Sequence, residues 1–238
     1  MEPAMPAADV VPVTLPLCPL GTVLFPGGIL PLQIFEVRYL DMIQRCHAEG
    51  RPFGIVSLSR GEEVRRAPMP GQVAPPSETF HAIGTMALVT ALVRPRPGLI
   101  LVECEGAQRF ELERSHQLKH GLWMGQAHLL PPDTQVAIPA ELEHLRVRLQ
   151  LVLQAVAMEQ AEQEGNPEED AALRPAPIDS PLWQDAGWVA NRWAELLPLD
   201  STHRHRLMTL DNPLWRLELV SEWLDQLSSQ AELGKASP

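Results

Sequence analysis

The sequence predicts an α+β protein: an antiparallel β-barrel, closed or nearly so, that carries one early helix and is followed by an α-helical bundle. Three observations predict it. From Leu15 to Leu130 short apolar runs alternate with Pro, Gly and charged turns at close spacing, enough for six or more strands. Within that half the period becomes helical after Glu36. Beyond Pro131-Pro132-Asp133 the strand grammar stops, and apolar seams at three- and four-residue spacing take over. These observations divide the chain into domains 1–132 and 133–238.

After a Pro/Ala-rich tail to Val10, the runs Leu15–Leu20, Val23–Phe25 and Ile29–Phe35 read as two strands joined by a turn at Gly27-Gly28. Pro16, Pro19 and Pro31 cannot donate to a ladder, so they are expected at sheet edges or bulges. Val37, Leu40, Ile43 and Cys46 then mark the apolar face of the helix, which Gly50-Arg51-Pro52 ends. Phe53–Leu58 is a short buried strand. The stretch 60–78 is too rich in Pro and charge for a core element and reads as a long exposed loop. Thr79–Val93 is strand-rich, with Gly84 expected as a bulge. Arg94-Pro-Arg-Pro-Gly turns the chain into Leu99–Glu105. Gly106–Arg114 alternates apolar and charged residues, as a half-buried antiparallel strand does, and Trp123–Leu130 adds another.

In the second half a helix from Ile138 holds a seam of Leu142, Leu145, Leu149, Val152, Leu153 and Val156, and its acidic end at 159–170 reads as a solvated link. Leu182–Leu196 places Ala186, Val189, Trp193 and Leu196 on one face. A shorter helix follows Asp200. Asn212 as cap and Pro213 in the first turn begin the last helix, which runs to about Gln230.

Several stretches resemble the LON substrate-binding domain, found at the N-terminus of the ATP-dependent protease Lon, in stand-alone bacterial proteins and in cereblon. They are Leu15-Pro-Leu-Cys-Pro-Leu-Gly-Thr-Val-Leu-Phe-Pro-Gly-Gly, Leu30-Pro-Leu-Gln-Ile-Phe-Glu-Val-Arg-Tyr, His81-Ala-Ile-Gly-Thr-Met-Ala and Gly106-Ala-Gln-Arg-Phe. Leu196-Leu-Pro-Leu and Leu210-Asp-Asn-Pro-Leu-Trp-Arg-Leu-Glu resemble the helical part that follows the barrel in Lon N-domains, so the likeness runs from about Leu15 to Leu227. Cys18 stands where the family usually has Phe, and Val37 where it usually has Pro; both look like core or helix-start changes. The resemblance implies a PUA-like barrel and a protein-recognition role.

Composition bounds the function. Net charge is 19 − 30 = −11, which argues against nonspecific binding to nucleic acid or anionic membranes. Lys119 and Lys235 are the only lysines, a bias that suggests a GC-rich genome. Cys18, Cys46 and Cys104 lie far apart without metal or redox spacing, which suits a reducing compartment. The N-terminus lacks the basic and apolar regions of a signal peptide, and no uninterrupted apolar run could span a bilayer, so a soluble cytoplasmic protein is expected.

Motifs of catalytic chemistry are not found in the sequence. Lon hydrolyses ATP and cuts peptides with a Ser-Lys dyad, but Gly234-Lys235 lacks the Walker A pattern, and no protease motif surrounds Lys119 or any serine. His116 and His120 are spaced for one helix face, yet they read as exposed residues of a polar connector with no third ligand. His203 and His205 read as surface residues, Glu103 and Glu105 as solvated strand charges, and Cys18 and Cys104 as inert core thiols. No metal or cofactor is expected.

The last helix is apolar over two stripes: Leu214, Leu217, Val220, Leu224 and Leu227, and beside them Trp215, Leu219 and Trp223. Such a helix buries both stripes in a bundle or leaves one for a partner. The reading favoured is a non-catalytic module that binds unfolded or apolar polypeptides, an adaptor to a protease or chaperone. Met69 and Val73 on the long loop and Trp215 and Trp223 on the outer stripe are its candidate contacts. The alternatives are a small-molecule or RNA-binding PUA-like domain, RNA being disfavoured by the charge, and a hydrolase using Glu103 or His81.

Overall fold

A computed structural model of the chain describes residues 12–60, 78–163, 177 and 180–235. It divides into two compact units. One holds the chain to Pro26 and Leu30–Pro132; the other holds Asp133 onward together with Gly27–Ile29.

The first unit contains strands β1 (Val13–Leu20), β2 (Ile29–Ile34), β3 (Phe53–Arg60), β4 (Thr79–Arg96), β5 (Leu99–Gln117) and β6 (Trp123–Leu129), with helix α1 (Val37–Glu49). The sheet order is β2-β5-β4-β3-β1-β6, and β5 also pairs with β6. Five strands therefore form a closed circuit of ladders, with β2 attached outside it. The sheet is mixed, which corrects the expected all-antiparallel arrangement: β1 and β3 run parallel, Leu17 opposite Gly54. Helix α1 lies between β2 and β3 in sequence, and a crossover of that kind permits parallel neighbours.

The hairpin expected across Gly27-Gly28 is also corrected. β1 is already paired, with β6 along Val13–Leu17 and with β3 along Leu17–Leu20, so β2 pairs with β5 instead. The prolines follow from this split: Pro16 lies in the half of β1 that only β6 flanks, Pro19 in the half that only β3 flanks, and Pro31 on the edge strand β2.

Gly84 is not a bulge. It is paired with both Val56 and Phe110, and the nearest irregularity starts beside it, where β4 from Phe80 to Gly84 spans four residues against the two from Val56 to Leu58; others lie between Thr85 and Ala87 and between Val89 and Ala91. What Gly84 provides is room, since a Cβ there would lie 2.4 Å from the Ile55 carbonyl oxygen. Leu15, Leu17, Val56, Phe110 and Ala127 form a small core among these strands. A larger core sets Tyr39, Met42, Ile43 and Cys46 of α1 against Phe53, Ile55, Val102 and Cys104. The helix buries Arg38, Tyr39, Met42, Ile43 and Cys46, while Val37 is 81% exposed, which corrects its place in the predicted seam. Val37 is the first helical residue, where a side chain overhangs the start and where Pro is well tolerated. Gly50 ends the helix at φ 62°, its amide donating to His47 and that of Arg51 to Cys46.

The second unit contains a 3-10 turn at Ala140–Leu142, α2 (Glu143–Gln163), a second 3-10 turn at Pro181–Gln184, α3 (Ala186–Leu196), α4 (Ser201–Thr209) and α5 (Pro213–Lys235). Asp185 ends the second turn and caps α3, which splits the single helix expected over 182–196. Leu145, Leu149 and Leu153 of α2, Val189 and Trp193 of α3, and Leu217, Val220 and Leu224 of α5 are buried, as their spacing requires. Trp193 Nε1 donates to the Leu145 carbonyl at 3.0 Å. Asn212 caps α5 by accepting from the Leu214 and Trp215 amides. No helix among the described residues is long and apolar enough to cross a membrane.

Candidate functional site

The first unit has an open cleft of about 550 Å³. Met42, Arg45, Cys46 and Glu49, on the second half of α1, form one wall, and Arg51-Pro52 closes its end. Thr14 and Pro16 of β1, Met124 of β6, and Leu118, His120 and Leu122 of the β5–β6 connector form the rest. The floor is apolar because α1 turns Met42 and Cys46 inward at i, i+4, while Arg45 between them points to the rim.

A buried ion cluster fixes the two walls. Arg38, one turn before Met42, donates Nε to Glu36 at 2.9 Å and Nη1 to Glu78 at 3.1 Å. The same Nη1 reaches the Gly121 carbonyl at 3.3 Å, so the guanidinium ties α1 to the connector. Gly121, at φ 91°, also donates its amide to the Leu118 carbonyl, and Leu118 donates to Leu122. Glu78 is completed by Trp123 Nε1 at 2.7 Å, and the Trp123 ring meets Phe80 edge-on at 5.2 Å. A charge pair this buried needs such full coordination, because each partner left alone would be a desolvated charge.

Arg45 and Arg51 against Glu49 leave the charged side chains lining the rim with one positive charge, on an acidic chain. Glu49 faces Arg51 at 3.4 Å, whereas Arg45 has no ion pair or hydrogen bond among the described residues. Burial pushes the Cys46 thiol up, so it is held as the weakly reactive thiol and not as thiolate. Cys104 in the core is pushed up to about 12 by burial, in keeping with an inert thiol. The cleft thus offers apolar contact and guanidinium hydrogen bonds, which suit gripping a segment that is apolar and carries negative charge.

The residues singled out from sequence lie elsewhere. Met69 and Val73 fall outside the described residues. Trp215 is 64% exposed on the first turn of α5, and Trp223, half-buried, meets the His203 ring edge-on at 5.8 Å. His116 belongs to β5, opposite Met124, and not to a connector. The strand runs on to Gln117, so His116 and His120 share no helix face. Among the described residues no three His, Cys, Asp or Glu side chains come together as a metal site would require. Sequence reasoning passed over Arg45, Arg51 and the Arg38–Glu78 pair. Its one usable signal was an Arg at 38 inside an apolar helix face, beside Tyr39 and Met42.

Residues 14–226 match the ATP-dependent protease La (LON) substrate-binding domain. The chain belongs to that family. A solved structure of a Lon N-terminal domain protein from Xanthomonas campestris is similar to it at 27% identity and a TM-score of 0.65, covering 89% of this chain and 98% of that one. The N-terminal domain of Mycobacterium avium complex Lon protease shares the fold at a TM-score of 0.53 and 14% identity, covering 89% and 97%. Among full-length relatives, the Lon protease of Flavobacterium johnsoniae is 31% identical over 104 residues, 43% of this chain and 12% of that protein. The Lon protease of Anaeromyxobacter dehalogenans is 26% identical over 181 residues, 72% of this chain and 20% of that protein. This LON domain chain thus spans a fifth or less of those two relatives' length. Most of each unit, and every residue lining the cleft, falls inside the matched residues.

Proposed function

We propose that this LON domain protein is a non-catalytic recognition module that holds apolar segments of unfolded polypeptides and presents them to a cytoplasmic protease or chaperone. The cleft of the first unit is the primary contact. The observation that carries the reading is the coincidence of an open, apolar-floored cleft with residues matched to a substrate-binding domain. Its floor of Met42, Leu118, Leu122 and Met124 has the composition of adaptable peptide-binding surfaces, Met being able to repack around different side chains.

The closed circuit of five strands supports reading the first unit as a PUA-like barrel, with domains 1–132 and 133–238. Exposed Trp215 with half-buried Trp223 on α5, and Met69 and Val73 from the sequence, are proposed as accessory contacts, because exposed Trp is a favoured interface anchor. Calorimetric titration with an apolar peptide tests the reading. Binding with a negative ΔCp is expected, weakened by Met124→Glu in the cleft. Absence of heat, together with failure of the peptide to displace an apolar dye, would overturn it.

A further inference from the structure

We infer that the cleft is built for a chain end: an apolar C-terminal residue whose free carboxylate lies against Arg45 while its side chain enters over Met42 and Met124. This rests on the recognition reading above and names the kind of segment recognised.

The charge, layout and size of the cleft point there. Arg45 is exposed and without an ion pair or hydrogen bond among the described residues, on a chain of net charge −11. An unpaired guanidinium beside an apolar floor is complementary to a carboxylate attached to an apolar group. The negative end of α1 does not cancel this field, because the Cys46 and His47 carbonyls are taken by the Arg51 and Gly50 amides and Glu49 faces Arg51. Among the lining side chains Arg45, Arg51 and Glu49 leave one positive charge, and the exposed Asp41 one turn earlier on α1 makes no ion pair with Arg45. Finally, cation and floor are adjacent: Arg45 precedes Cys46 and follows Met42 by less than a turn. A carboxylate must therefore lie on nearly the same residue as the apolar side chain it accompanies. A C-terminal residue carries both, whereas an internal Asp or Glu must borrow its apolar neighbour. About 550 Å³ is also the scale of a compact ligand, which fits a few terminal residues better than a long strand.

The test compares one apolar hexapeptide as free acid and as C-terminal amide, binding to the full chain, to Arg45→Ala and to Met124→Glu in the cleft. Arg45 is solvent-exposed, and a thermal melt of the variant matching the parent establishes that it folds. The free acid is expected to bind about fivefold tighter than the amide at low salt, the size of an exposed ion pair. That preference should vanish in Arg45→Ala and shrink at about 0.5 M salt, and Met124→Glu should weaken both peptides. Equal binding of acid and amide would overturn the chain-end inference while leaving polypeptide recognition intact. A preference that survives Arg45→Ala, or binding of both peptides that Met124→Glu leaves unchanged, would overturn its placement in this cleft. Binding of neither peptide would overturn both readings.

Discussion

Arg38 in the strand unit and Arg216 in the helical unit are both buried and tie distant parts of the chain, and the two are wired differently. In the strand unit Arg38 is shared between two carboxylates, Glu36 at 2.9 Å and Glu78 at 3.1 Å, with the Gly121 carbonyl as a third acceptor. In the helical unit Arg216, 1% exposed, rests on the carboxylate of Asp133 at 2.5 Å, the Asn191 side-chain oxygen at 2.9 Å and the Leu210 carbonyl. Arg38 therefore keeps a counter-charge when either acid is lost; Arg216 does not. The first wiring suits a guanidinium beside a ligand cleft, which has to tolerate change nearby. The second suits a fixed joint, where the start of the unit, α3 and the entry to α5 meet.

The largest expected effect breaks the second joint. Asp133→Ala leaves Arg216 buried with only neutral acceptors and is expected to destabilise the helical unit by about 3–5 kcal/mol, read by urea denaturation followed through tryptophan fluorescence. A cost below about 1 kcal/mol would mean that Arg216 finds solvent, and the contrast with Arg38 would disappear. Backbone crowding gives the next effect. A Cβ at Gly106 in the strand unit would lie 2.1 Å from the Phe25 carbonyl oxygen, so Gly106→Ala is expected to cost about 3 kcal/mol. At Gly187 in α3 the nearest atom would be 3.3 Å away, and the helix propensity gained offsets the contact, so Gly187→Ala should stay within about 1 kcal/mol of neutral. Equal costs at both positions would show that packing in the two units is less different than their glycines imply. A smaller effect follows from Glu78→Gln, about 2 kcal/mol, because Glu36 remains and the amide oxygen can still accept from Trp123. Its second signature is functional: loosening of the Gly121 anchor should weaken peptide binding in the cleft without abolishing it.

The same contrast explains what could be read from sequence. The apolar periods of α2, α3 and α5 announced their buried faces, because a helix next to a core must show that core to its neighbours every three or four residues. The individual strands were legible for a similar reason. Their pairing was not. Nothing local in Leu15–Leu20 reveals that half of it pairs with β6 and half with β3, since ladder partners are chosen by the whole sheet. Gly84 shows the ambiguity of a single residue: a bulge and a close approach both favour glycine, and only the Ile55 carbonyl beside it separates them. The cleft was least legible. Met42 and Cys46 have the pattern of core residues, and their role at a floor depends on the connector 118–122 folding against them. The LON motifs carried the family because Pro and Gly at fixed places constrain the backbone itself, whereas rim charges such as Arg45 constrain nothing around them.

Helix capping gives the smallest and sharpest test. In the helical unit Asp200 caps α4, its Oδ1 accepting from the His203 amide at 2.8 Å and from His203 Nδ1 at 2.7 Å. In the strand unit the N-cap of α1, Glu36, makes no side-chain capping bond. Hydrogen bonds from His203, the backbone amide foremost, hold the Asp200 carboxyl below its ordinary value of 3.8. A carboxyl whose folded value is lowered contributes stability that is fully present above the unfolded value. The contribution is lost as pH falls through the depressed folded one. Acid should therefore loosen the first turn of α4 below about pH 3.8, seen as faster amide exchange at His203 and a shift of its amide resonance. The Leu214 and Trp215 amides at the start of α5 are the internal control, because Asn212 caps them with a group that does not titrate. Asp200→Asn should keep the capping oxygen and flatten the pH response at His203. If that response survives the substitution, the loosening belongs to the unit as a whole and not to its cap.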